Sequence, residues 1–232
     1  MKQWSTKSGY TVTRIVTGRS NAFLLGNGAA HVLIDTGLRS TWSMLEERLK
    51  RLGVRKLDAL ILTHAHYDHA ENANRVKRLY GAPVFIHKSE VFFLANGDNT
   101  VPRGTTVAVD LLVRLFARTF MRFKRYEPCA CDIEVGEEHG LSGLGFNARI
   151  VHTPGHSPGS QSVIVDDEIA LVGDCMFGVF PRTVLPPFAV DAGQMVRSWG
   201  RLLETKCRLF LPAHGREKTR EQVEQDYVKR KK

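Results

Sequence analysis

The chain has 232 residues, 43% hydrophobic and 25% charged. That balance fits one sizeable globular domain spanning residues 1–232, and it excludes wholesale disorder or two ordinary domains with a linker. No run approaches the roughly 20 apolar residues of a membrane-spanning helix, and the formal net charge of +9 favours anionic partners, whether small substrates, acidic lipids or nucleic acid.

Residues 1–10 carry Lys2 and Lys7, and no leader-length apolar stretch follows them, so the expected compartment is the cytoplasm. β-Branched and apolar runs separated by Gly and Asn predict early antiparallel strands at 11–17, 22–25 and 31–35. Ser40 and Thr41 can cap a helix to about residue 52, with Trp42, Leu45, Leu49 and Leu52 on one side and Gly53 as its stop. The compact apolar run 57–62 reads as a buried strand, followed by a helix over 70–80 closed by Gly81 and a strand over 83–87.

The second half repeats the strand-rich pattern at 146–152, 161–165 and 169–172, then gives a helix near 191–203 and a strand at 208–211. Two strand-rich halves, each with helices to cover a sheet, predict two packed sheets between helical layers. The basic tail 216–232 reads as a solvated helix with a frayed end. Cys129, Cys131, Cys175 and Cys207 fit a reduced protein, since no partners at zinc-site spacing surround the Cys-Ala-Cys pair.

Between the strand at 83–87 and the second half lies a segment, about 88–138, that reads as an insertion. Within it Arg114, Arg118 and Arg122 recur every four residues and form one stripe on a helix, opposite Leu111, Leu112, Leu115, Phe116, Phe120 and Phe123. This helix has three readings: a lid offering apolar surface and positive charge to an anionic or amphiphilic substrate, an interface within the domain or a homodimer, or a contact with a membrane surface.

The chemistry concentrates directly after the strand at 57–62. His64, His66, Asp68 and His69 fall within six residues, and His64 and His66 leave an extended segment on the same side, able to grip one ion. Asp68 and His69 sit where the chain turns, free to face a second ion. Imidazole nitrogen and carboxylate oxygen are donors that Zn²⁺ accepts. Packing alone does not explain such a cluster. His31, His87, His139 and His152 stand apart from it and read as structural.

His64-Ala65-His66-Tyr67-Asp68-His69 resembles the H-x-H-x-D-H motif of the metallo-β-lactamase superfamily. The family's other motifs follow in order: Leu33-Ile34-Asp35-Thr36-Gly37, the loop from Thr153-Pro154-Gly155-His156 to Ser160, Gly173-Asp174, and Pro212-Ala213-His214-Gly215. The resemblance implies an α/β fold, an αββα four-layer sandwich, with a two-metal site at one rim of the sheets. It implies that His64, His66 and His156 bind one zinc, that Asp68, His69 and His214 bind a second, and that Asp174 bridges them, with iron or manganese as alternative metals. It places Asp35 beside the site as a hydrogen-bonding support, and His64, His66, Asp68 and Asp174 as the residues that carry catalysis.

Two zinc ions sharing an activated water suit attack on an ester, thioester or lactone. The Thr-Pro-Gly-His and Gly-Asp motifs look most like the glyoxalase II and lactonase branches. Aspartate at 174 departs from the true β-lactamases, so antibiotic hydrolysis is not expected. Only a short tail follows His214, which leaves no helical domain for gripping glutathione and no β-CASP nuclease insertion. The alternatives are a phosphodiesterase or nuclease using the same site, a sulfur dioxygenase with one iron held by two histidines and an aspartate, and a non-catalytic scaffold. The phosphodiesterase gains from the positive charge but lacks aromatics arranged for stacking on nucleic acid. The scaffold reading is set aside because every ligand position is filled.

Overall fold

A computed structural model describes residues 1–99, 103–111 and 125–231. The chain opens with antiparallel strands β1 (Lys2–Ser5), β2 (Thr11–Val16), β3 (Ala22–Gly26) and β4 (His31–Ile34). Helix α1 (Trp42–Arg51) leads to β5 (Ala59–Ile61). Two short helices, α2 (Tyr67–Ala70) and α3 (Ala73–Tyr80), precede β6 (Val84–His87), α4 (Val91–Asn96), the two-residue β7 (Arg103–Gly104) and β8 (Ile133–Val135). Strands β4, β5, β6 and β8 are parallel, completing a seven-stranded sheet in the order β1-β2-β3-β4-β5-β6-β8.

The second sheet begins with β9 (Glu138–Gly140), β10 (Ala148–His152), β11 (Gln161–Val165) and β12 (Ile169–Gly173). After β13 (Phe188–Ala189), which pairs with β7, helix α5 (Ala192–Glu204) returns the chain to β14 (Leu209–Pro212), β15 (Lys218–Thr219) and α6 (Arg220–Arg230). The sheet order is β15-β14-β12-β11-β10-β9.

The layers follow from the alternation of side chains along strands that are buried on both faces. Phe23, Leu25, Val32, Ile34, Ala59 and Ile61 point between the sheets and meet Ile150, Val163, Val165, Leu171 and Leu211. Their neighbours Leu24, Leu33 and Leu60 face outward onto Leu45 and Leu49 of α1 and Val76 and Tyr80 of α3. On the far side Ile164, Ala170, Val172 and Phe210 pack on Met195, Trp199 and Leu202 of α5 and Val223 of α6. The order is helix, sheet, sheet, helix: the αββα sandwich. Among the described residues no helix is long and apolar enough to cross a membrane.

Three details differ from the sequence reading. The helix expected over 70–80 begins only at Ala73, with Ala70 in the separate turn α2, because Asn72 between them turns its side chain onto the carbonyls of Thr36, Gly37 and Leu38 instead of continuing one helix. The tail is not a loose end: residues 218–219 form β15, Thr219 and Gln222 make a capping box, and α6 docks through buried Val223 and Asp226. Asp226 accepts hydrogen bonds from Thr183 Oγ1 and Val184 N. The last residues of the segment 88–138 belong to the sheets, as β8 and the start of β9. Arg114, Arg118 and Arg122 lie outside the described residues, with most of the helix expected around them. The four cysteines are free thiols, and burial raises Cys129 to about 11, Cys175 to about 12 and Cys207 to about 11.

Candidate metal centre

Five strand ends meet at one rim of the sandwich. Asp35 follows β4, His64 follows β5 by three residues, His156 lies on the loop after β10, Asp174 directly follows β12, and His214 follows β14 by two residues. Asp68 and His69 come from α2, the short helix that begins directly after His66. Gly173 makes the last step before Asp174 with φ +51, where a side chain would be strained, and an added Cβ would meet Thr63 at 2.7 Å. Two sheets that share one core thus hold the donors in place.

Ring nitrogens of three histidines converge: His64 Nε2 and His156 Nε2 lie 2.9 and 3.0 Å from His66 Nδ1. Beside them, Asp68, His69 and His214 form a second group whose donor atoms lie within 4.8 Å of one another, as do those of His64, His69 and Asp174. Asp174 stands between the two groups. Its Oδ1 is 3.4 Å from His69 Nε2, and its Oδ2 is 3.5 Å from His156 Nε2 and 3.3 Å from His214 Nε2. All seven side chains expected to be ligands are brought together, and all are buried.

Hydrogen bonds at the far side of three of the rings decide which nitrogen faces the cluster. His156 Nδ1 donates to Phe188 O at 2.9 Å, His214 Nδ1 donates to Arg19 O, and His69 Nδ1 donates to Asp35 Oδ2 at 2.9 Å. When the rings are neutral, the proton placed there leaves each of these Nε2 atoms to present its lone pair inward, as metal-ligating histidines require. Asp35 is itself locked, accepting from Thr63 N at 2.8 Å and from Thr63 Oγ1, at a backbone φ of +58 that few non-glycine residues adopt. Such tolerated strain is common at functional sites.

The electrostatics of this cage call for a cation. Burial, then the neighbouring His69, holds His64 well below the usual histidine range, and burial with His156 takes His66 down to about 3. Burial also opposes protonation of His69, but Asp174, Asp35 and Asp68 override it and push His69 up to about 10. Burial would raise the Asp174 carboxyl, yet His214, His69 and His156 hold it well below the usual carboxylate range. Among the described residues His69 Nε2 and Asp174 Oδ1 are buried without hydrogen-bond partners, although only 3.4 Å apart. Unpaired buried polar atoms are costly, and a cation among neutral imidazoles and carboxylates satisfies both. The residues present therefore fit one or two divalent ions.

The structure adds residues that sequence reasoning missed. Arg19 lies at the rim with its guanidinium largely exposed, Nε 3.8 Å from Asp68 Oδ2 and Cζ 5.5 Å from the Tyr67 ring centroid. Ser20 Oγ donates to Asp68 O, and Asn21 Nδ2 donates to Pro212 O, tying the β2–β3 turn to two ligand segments. In the sequence Gly18-Arg19-Ser20-Asn21 carries only the signal of a turn.

A third trio of donors, His87, Glu137 and His152, lies behind the His156 loop, where His152 Nε2 donates to Pro158 O at 2.9 Å. The two rings stack with centroids 3.9 Å apart and planes 11° from parallel. The in-plane lone pairs of parallel stacked rings run side by side rather than toward one point, unlike those of the converging histidines of the centre. His139 packs its ring edge on Phe85.

Comparison with known proteins agrees with this fold. The family described as "Metallo-beta-lactamase superfamily" matches residues 15–214. A protein of Methanocaldococcus jannaschii described as a probable metallo-hydrolase is 33% identical over 158 residues, 68% of each chain. The crystal structure of BLEG-1, a B3 metallo-β-lactamase, is 26% identical, with a TM-score of 0.68 over 91% of this chain and 95% of that one. The structure of TTHA1623, in a di-iron-bound form, superposes with a TM-score of 0.66 at 24% identity, over 93% of this chain and 98% of that one.

Proposed function

The chain belongs to the metallo-β-lactamase superfamily, and from that premise we propose that it is a hydrolase with a dinuclear zinc centre, acting on an ester, thioester or lactone. The observation that carries the reading is the position of Asp174, whose two oxygens reach donors of both groups, 3.4 Å from His69 and 3.5 Å from His156. His64, His66 and His156 are the proposed ligands of one ion, Asp68, His69 and His214 those of the other, with Asp174 between. When bound, two such ions supply Lewis acidity and lower the pKa of water to roughly 7.

The chain's own residues prepare the site for that chemistry. Asp35 and the carbonyls of Arg19 and Phe188 hold three ring protons away from the centre, so the imidazoles remain aimed without reorganisation. Burial of the seven donors excludes bulk water, while the Arg19 guanidinium stays exposed at the rim, where it can receive an anionic group of a small substrate.

Zinc has one specific rival. TTHA1623 was crystallised with two irons, and the same nitrogen and oxygen donors accept iron. A panel of thioesters, lactones and phosphodiesters, assayed with zinc-loaded and iron-loaded protein, tests the reading. Turnover of a thioester or lactone by the zinc form supports it. Turnover confined to phosphodiesters, or oxygen consumption by the iron form alone, overturns it.

A further inference from the structure

Glu90 is fully buried and its carboxylate touches neither group of donors directly. Its Oε2 accepts from Ala65 N at 3.1 Å, and its Oε1 accepts from Gly159 N at 2.9 Å. Ala65 is the residue between His64 and His66. Gly159 lies on the loop 153–160, three residues beyond His156. One carboxylate therefore spans the two segments that supply all three converging histidines. Among the described residues no Lys, Arg or His forms an ion pair with it, so its hydrogen-bond partners are the two ligand loops themselves.

The fit is tight on the Gly159 side. A Cβ built there would stand 2.5 Å from Glu90 Cγ, which explains a glycine at this point of the loop. Two further side chains from the same part of the chain complete the grip. Tyr126 Oη donates to Ala65 O at 2.7 Å, and Asn99 Oδ1 accepts from Tyr67 N at 2.6 Å. Burial, then Glu90, raises the Tyr126 hydroxyl, which keeps it a donor. The backbone from Ala65 to Tyr67 is thus held by Glu90, Asn99 and Tyr126, all from the segment 88–138, while the His156 loop is held by Glu90.

We infer that Glu90 is a positioning residue for the three-histidine half of the centre: its carboxylate fixes the separation of the two loops, and through it the affinity for the ion bound there. This rests on the proposed ligand set. The Asp68, His69 and His214 half is oriented instead by Asp35 and Arg19 O, so Glu90 acts on one half selectively.

The test is a chelator-competition titration of metal-free protein with zinc, together with the ligand-field absorption of the first equivalent of cobalt. Glu90→Gln preserves shape but turns an amide donor toward one of the two N–H groups. It is expected to weaken one of the two binding steps by about 10- to 100-fold, as loss of a ligand-orienting partner does, to leave the other step unchanged and to alter the cobalt band. Gly159→Ala, which pushes the His156 loop away from Glu90, is expected to weaken the same step. The inference is overturned if both variants bind as wild type does, or if both steps weaken equally while the metal-free melting temperature falls by the same amount as in the loaded protein. Wild-type protein that binds no ion overturns the proposed function along with it, whereas two wild-type ions with unaltered variants overturn only the role of Glu90.

Discussion

Asp35 Oδ2 lies 2.9 Å from His69 Nδ1, with both side chains buried and Asp35 held in turn by Thr63. One carboxylate at the end of β4 thereby fixes the tautomer of a proposed ligand on α2. Asp35→Asn puts an amide in its place, and the amide NH₂ cannot accept the His69 proton. The variant is expected to lose about 10- to 100-fold in affinity at the Asp68, His69 and His214 half, measured by chelator competition. Unchanged affinity for both ions removes Asp35 from the account.

Arg19 offers an exposed positive charge beside the proposed ligands of that half, with Nε 3.8 Å from Asp68 Oδ2. Arg19→Gln is expected to raise KM for anionic esters about tenfold, equivalent to about 1.4 kcal/mol of binding, with kcat and neutral esters little affected. Equal effects on neutral and anionic substrates would show that Arg19 shapes the site without reading charge. The same comparison applied to Arg114, Arg118 and Arg122, each replaced with Gln, tests the lid reading of that sequence against the interface and membrane readings: a raised KM for anionic esters with unchanged zinc content favours the lid, and unaltered kinetics remove it.

His87 gives a pH dependence independent of the centre. Burial, then the stacked His152, lowers it to about 4 from the ordinary 6.5, so the folded chain resists the proton that the unfolded chain accepts. Between pH 6.5 and 4 the unfolded state binds more protons, and stability falls as pH falls through this window. The most this group can remove is roughly 3 kcal/mol, at about 1.4 kcal/mol per unit. In metal-free protein His87→Gln is expected to flatten the acid limb of a melting-temperature profile relative to wild type. Parallel profiles would contradict the assignment.

The carboxyl-terminal helix is tested by its cap. Thr219 accepts from Gln222 N and Gln222 reaches back to Thr219 N. Thr219→Ala is expected to cost about 1 kcal/mol in urea unfolding while zinc capacity is kept. No change would return the tail to the frayed end that its lysines suggest.

How much of this was readable in advance depended on locality. The donors could be named because each lies in a short motif beside a strand end, and the strands announced themselves as apolar runs such as 59–61. The break at Asn72 was hidden because its cause, the carbonyls of residues 36–38, comes from a distant turn. The docking of α6 was hidden for a like reason, since buried Val223 and Asp226, the latter meeting Thr183 and Val184, decide it against a surface rich in Lys and Arg. Glu90 is the clearest case. A lone glutamate after a strand looks solvated, and only the fold shows it spanning Ala65 and Gly159.

The central claim is that Asp174 joins two ions in one centre. Counting metal by mass spectrometry, in protein purified without added metal and again after zinc loading, tests it most directly. Two ions per wild-type chain are predicted, falling to one or none in Asp174→Ala with loss of thioester or lactone hydrolysis. A wild-type chain that takes up no ion, or an Asp174→Ala chain that keeps two ions and full activity, contradicts it.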